Sequence, residues 1–157
     1  MASVLAVWLG MAGCAVTPRV TSQEPQEGTE LPVLRESGGT FSSIDRPLRL
    51  VIHDPGSLAM LPLEAGPVDF DREMVLVAAL GPVASGEYSI RIHRVFRRGS
   101  SLHAEVVVGH PPADAVRVRR RASPYHLVVV PKSELNVAGF GADVAASLTG
   151  RQGRGPR

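Results

Sequence analysis

Five histidines and a serine-bearing turn are the reactive side chains that stand out in this 157-residue sequence. Ser85 and Ser89 lie close together, with His53, His93, Asp54 and Asp69 elsewhere in the chain. Nucleophilic hydrolysis would need a Ser, a His and an Asp in mutual hydrogen-bond reach. No G-x-S-x-G elbow presents either serine, so these residues read as turn and strand-surface positions. His93, His103 and Glu105 have ligand types that suit zinc, but no H-x-H or H-E-x-x-H spacing joins them. A solvated pair of His93 with Glu105 across two strands is the favoured reading. No catalytic residue, metal ligand or cofactor is assigned. Arg117–Arg121 could take phosphate or an anionic headgroup. That run lacks the aromatics on which bases stack, so nucleic acid is not expected as a partner; a charged sheet edge is. The turn Ser85-Gly86-Glu87-Tyr88 is the candidate partner-binding surface. Glycine permits positive φ there, and tyrosine offers contact area with a polar tip.

Cys14 is the lone cysteine, which excludes an intrachain disulfide framework and any Cys-based zinc site. Val4–Met11 before it is a short apolar run, far below the roughly 20 residues of a membrane-spanning helix. Such a run ending in small residues reads as a secretory signal peptide. Met11-Ala12-Gly13-Cys14 resembles a bacterial lipobox, although no Lys or Arg precedes the run and Met11 stands where Leu is usual. The resemblance implies removal of the preceding peptide and a lipid on Cys14, with acyl chains as the membrane anchor. The expected location is the cell envelope, membrane-anchored and extracytoplasmic, either periplasmic or at the cell surface.

Four segments follow from this reading. Residues 1–14 are a signal with a lipobox-like end. Residues 15–37 carry Pro18, Pro25 and Pro32 and no apolar period, and read as a flexible tether. Residues 38–148 are a β domain, and 149–157 are an Arg-rich disordered tail. The chain is 44% hydrophobic but only 4% aromatic, so aliphatic side chains must fill its core. The formal charge of +2 is small, and the pI near 9.2 partly reflects the tail.

Pro67–Phe96 is the centre of the domain. Glu73–Leu80 is almost continuously apolar, as a central strand covered on both faces would be. Tyr88–Phe96 puts Tyr88, Ile90, Ile92 and Phe96 on one face, and Arg94 and Val95 break the alternation, which suggests a bulge or an exposed end. Leu102–Val108 alternates again. Face matching predicts a hairpin with an odd loop, of five residues if His93 opposes Glu105. Further strands are expected at Thr40–Ile44, Pro47–His53, Tyr125–Val130 and Asn136–Phe140. Asp54-Pro55 starts a short helix over Ser57–Leu61, with Asp as N-cap. Asp143–Leu148 makes a helical turn. The fold class is mainly β: a sandwich or partly closed barrel of about six to eight strands with one short helix.

The motifs Val68-Asp69-Phe70, Met74–Val77, Ser85-Gly86-Glu87-Tyr88-Ser89-Ile90, Pro124-Tyr125 and Val130-Pro131-Lys132 occur in an order that resembles the C-terminal domain of the PrcB protease-complex subunit family. Phe41–Ile44 and Arg49–Asp54 are similar to that family's opening. Glu87 stands where the family usually has a second glycine, and no Trp lies in Ser57–Leu61. The resemblance covers Gly39–Phe140. It implies a secreted or lipid-anchored β domain that supports a surface protease without cutting peptide bonds itself. The expected partners are the membrane, through Cys14, and a protease or another envelope protein. A ligand- or metal-binding, enzyme-like domain using the surface histidines is the competing reading.

Overall fold

The computed structural model describes residues 28–112, 121–142 and 144–149. Cys14, the signal-like segment, residues 15–27 of the tether, Arg117–Arg120 and residues 150–157 lie outside the described residues. Among the described residues the elements run β1 (Glu30–Leu31), β2 (Arg35–Gly39), β3 (Leu48–Ile52), α1 (Pro55–Ala59), β4 (Glu73–Ala79), β5 (Ser89–Arg98), β6 (Ser101–Gly109), β7 (Tyr125–Pro131), β8 (Val137–Ala138) and α2 (Val144–Thr149). They form two four-stranded sheets, ordered β1-β5-β6-β8 and β2-β7-β4-β3. The chain is mainly β, as its strand pattern predicts.

β4 is the central strand, antiparallel to β3 on one side and β7 on the other. Its run EMVLVAA is buried from Met74 to Ala79. Met74, Leu76 and Ala78 face the first sheet, packing with Ile90, Ile92, Val95, Leu102, Val128 and Val130. Val75, Val77 and Ala79 face the opposite way, with Leu48, Leu50, Ile52, Leu127 and Val129. That second face is covered by Leu61 and Val144, with Leu58, Phe70 and Leu148 at its margin. The domain therefore has three layers: a sheet, a sheet, and a helix-and-loop cover. The start of α1 follows its capping signal. Asp54 Oδ1 accepts from Ser57 N at 2.8 Å, and Pro55 opens the helix. α2 takes up Val144–Leu148 of the helical turn expected at Asp143–Leu148, with Asp143 outside the described residues, and adds Thr149, which was expected in the tail.

Both seams between the sheets are crossed by chain that pairs with each. On one side β1 pairs with β5, and a few residues later β2 pairs with β7. On the other, β8 runs parallel to β6, then Gly141 bridges to Leu50 of β3. This closes parts of the edges that a two-sheet protein would otherwise expose to pairing with other chains.

Five expectations change. Residues 30–37 were expected in the tether but belong to the domain: β1 and most of β2 lie there, and Leu31 is buried in the core. β2 reads RESGG and is mostly exposed, so the backbone ladder with β7, not an apolar period, makes it a strand. Thr40–Ile44 is not a strand. It is held by the Thr40 carbonyl, which accepts from Ser123 N at 3.0 Å, and by Ser42 and Ser123 hydroxyls. The β5–β6 loop has two residues, Gly99 and Ser100, not five. Gly99 has φ 63, the positive value that a type II′ turn needs at its first central position. The reason is the bulge between Ile92 and Arg94, which inserts one residue and reverses inside and outside along β5. Hence Val95 is fully buried and Phe96 turns away from the core face. Arg94, not His93, faces Glu105, with Nε 2.7 Å from Oε2.

Leu76→Ala should cost about 2–5 kcal/mol, because it opens a cavity between the layers. Val107→Ala, on the outer face at 50% exposure, should stay within about 0.5 kcal/mol. Urea denaturation of both variants compares them directly.

Candidate functional site

The link from β4 to β5 presents the candidate turn. It is stapled to the chain before β7 by an antiparallel bridge: Val83 N donates to the Ala122 carbonyl at 2.8 Å, and Ala122 N to the Val83 carbonyl at 3.1 Å. Leu80 N also donates to the Pro124 carbonyl, at 3.0 Å. Within the turn, Ser85 is buried. Its Oγ accepts from Glu87 N at 3.2 Å, and its carbonyl lies 3.5 Å from Tyr88 N. Ser85 therefore shapes the turn. Glu87 is exposed and Gly86 and Tyr88 are half-buried. The Tyr88 ring meets His110 edge to face, with centroids 5.6 Å apart. Tyr88 belongs to neither core cluster, so Glu87, Tyr88 and His110 form the accessible surface here.

The conformational freedom that the sequence places at Gly86 is used at Gly81 instead. Gly86 is absent from the positive-φ glycines, whereas Gly81 has φ 68. A Cβ on Gly81 would lie 2.5 Å from the Arg46 carbonyl carbon; one on Gly86 would lie 3.5 Å from Thr40 Cγ2. The signal for Gly81 was the dipeptide Gly81-Pro82, a turn marker in its own right.

A cleft of about 270 Å³ adjoins the link. Pro82 lines it, together with Phe41–Asp45 and Arg121–Ser123. A second, of about 230 Å³, lies at the β3–β8 seam, where Val51, Val137 and Phe140 meet His53, Glu134 and Asn136.

The hydrolase residues are not brought together. Neither Ser85 nor Ser89 bonds a histidine. Asp54 is committed to Ser57 N and Oγ, and those two bonds hold its carboxyl below the usual range, the hydroxyl contributing most. Asp69 Oδ1 accepts from Asp71 N. The three residues of zinc-ligand type also have other roles. His93 sits exposed at the bulge, His103 stacks on Phe96 at 5.8 Å, and Glu105 pairs with Arg94. Among the described residues, no group of three or more His, Cys, Asp or Glu could hold a metal. Sequence reading missed His126, the buried histidine on β7, because YHLVVV reads only as an apolar strand.

The architecture is that of a small two-sheet β protein with a helical cover. No family model matches the chain, and no match is found among curated proteins or solved structures.

Gly81→Ala should cost at least about 2 kcal/mol, from positive φ and a clash with backbone. Gly86→Ala should stay within about 0.5 kcal/mol. Thermal unfolding of the two variants tests this division of roles between the glycines.

Proposed function

We propose that this protein is a lipid-anchored, extracytoplasmic binding domain that supports or contacts a secreted or surface protease, or another envelope protein, through the Ser85–Tyr88 turn, and is not itself an enzyme. The observation that carries the reading is where the turn lies relative to the start of the domain. β1 runs antiparallel to β5, and Gly28 N donates to the Arg97 carbonyl at 2.9 Å. The described chain thus begins, at Gly28, beside the tip of the β5–β6 hairpin. The turn precedes Ser89, at the other end of ten-residue β5. At about 3.3 Å per residue, roughly 30 Å separates the two ends. A domain tethered at the hairpin tip would hold the turn away from the membrane, toward partners.

Chemistry at the turn fits a contact surface. Glu87 supplies an exposed carboxylate, and Tyr88 with His110 supplies an aromatic edge. Aromatic side chains half-sheltered by neighbours are favoured anchors in protein interfaces. Among the described residues no helix is long and apolar enough to cross a membrane. The lipobox-like Met11–Cys14 supports acyl anchoring, and the resemblance of the ordered motifs to those of the PrcB family supports a protease-associated role.

Two measurements test the reading. Native protein should carry lipid mass on Cys14 and fractionate with membranes, while Cys14→Ser should be released or unprocessed. Full-length, unlipidated, soluble protein in both cases would overturn the anchor. Crosslinking from position 87 in cells should yield a defined envelope protein, and Tyr88→Ala should weaken its capture by roughly tenfold or more without lowering Tm. Unchanged capture in Tyr88→Ala would remove the turn from the interface.

A further inference from the structure

His126 is 9% exposed and sits at the seam between the sheets. It lies on β7 between Gly38 of β2 and Ala78 of β4. The ring lies over Gly38: a Cβ there would come within 2.9 Å of His126 Cδ2. Its Nδ1 accepts a buried hydrogen bond from Ile92 N at 3.3 Å. Ile92 is the last β5 residue paired before the bulge, so this bond ties the other sheet to β7 where the ladder breaks. An imidazole accepting at Nδ1 is neutral and carries its proton on Nε2. Nε2 lies 3.6 Å from Glu36 Oε2. Glu36 in turn accepts from Arg91 Nη2 on both oxygens, at 3.1 and 3.2 Å. The charged groups facing the ring are thus Glu36 from β2 and Arg91 from β5; its β4 neighbour, Ala78, has no charge.

We propose that His126 is an acid-operated latch on this seam: protonation at Nδ1 expels the Ile92 N–H, loosens the Ser89–His93 half of β5 from β7, and so alters the Tyr88 turn that leads into that strand. The protonated nitrogen becomes a donor facing a donor. At the same time the cation is drawn toward Glu36, which must share its carboxylate between His126 and Arg91.

Burial holds the His126 pKa below the ordinary histidine value of 6.5; Glu36 opposes that shift and Arg91 adds to it. The folded chain therefore takes up the proton less readily than the unfolded chain. The latch's contribution to stability is complete above about pH 6.5 and is lost progressively as pH falls from there through the lower folded-state value.

The test compares hydrogen exchange of the full chain at pH 7.5 and 5.5, corrected for intrinsic rates, in wild type and His126→Gln. Glutamine keeps an acceptor but does not titrate. In wild type, amides 89–93 should lose up to about tenfold protection at pH 5.5, the limit set by one pH unit below the free histidine value, and more than β4 does. His126→Gln should show no such loss. Unchanged protection in wild type, or the same loss in His126→Gln, overturns the latch. Should His126→Gln not fold, wild-type NMR decides: the Ile92 amide must shift with the His126 ring titration, and an amide that does not track it overturns the proposal.

The effect on partner capture rests on the binding role proposed for the turn, whereas the exchange experiment does not. If capture falls at pH 5.5 in wild type but not in His126→Gln, the latch controls the turn. If exchange shows the latch and Tyr88→Ala lowers capture, but capture is unchanged by pH, the claim that the latch controls the turn is overturned; if Tyr88→Ala leaves capture unchanged, it is the binding role of the turn that fails.

Discussion

The structure depends on one strand having no wet face. Met74 through Ala78 of β4 are completely buried, on both sides of the sheet. A sheet with two apolar faces must be covered twice. Sheet β1-β5-β6-β8 supplies one cover and the loop-and-helix layer around Leu61 and Val144 supplies the other. β3 and β7 flank β4, and β7 repeats its pattern with five consecutive buried residues. Burial of this aliphatic set is the dominant favourable contribution, achieved with few aromatic rings.

The need to close the sheet edges explains most of what surrounds this core. Short segments cross each seam and pair first with one sheet and then with the other, so neither sheet keeps its full edge open. The polar links at the seams are unequal. The Arg91–Glu36 pair, which crosses from β5 to β2, is exposed, and such a pair contributes little. The His126–Ile92 bond is buried, and a lost buried partner costs much more. Among the described residues, His126 is a titratable side chain that joins the sheets from inside, which is why the proposed acid response is assigned to it.

The candidate turn was legible as a turn but not in its details. Ser85, Gly86, Glu87 and Tyr88 do form one, yet Ser85 is its internal brace, and Gly81 rather than Gly86 takes the left-handed conformation. Tyr88 sits in an alternating pattern that would send it inward beside Ile90. It lies before the first paired residue, where His110 from the end of the hairpin receives it. No local rule relates Tyr88 to a histidine 22 positions later. His126 was hidden for the opposite reason: a single polar residue in an apolar run looks like noise until its partner, a backbone amide on another strand, is known.

The sequence by itself determined what depends on neighbours along the chain. The apolar runs at β4 and β7, the alternation of β3, the Asp54 cap and the break at Arg94–Val95 all arise from side-chain periodicity or local hydrogen bonding. These are enough for a mainly β fold with a doubly covered central strand. Only the tertiary structure decided that RESGG is a strand, that one extra residue at His93 turns Phe96 outward and Val95 inward, and that the hairpin closes with two residues. Each of these depends on a partner strand distant in sequence, whose unpaired backbone groups must find donors and acceptors wherever the fold brings them close.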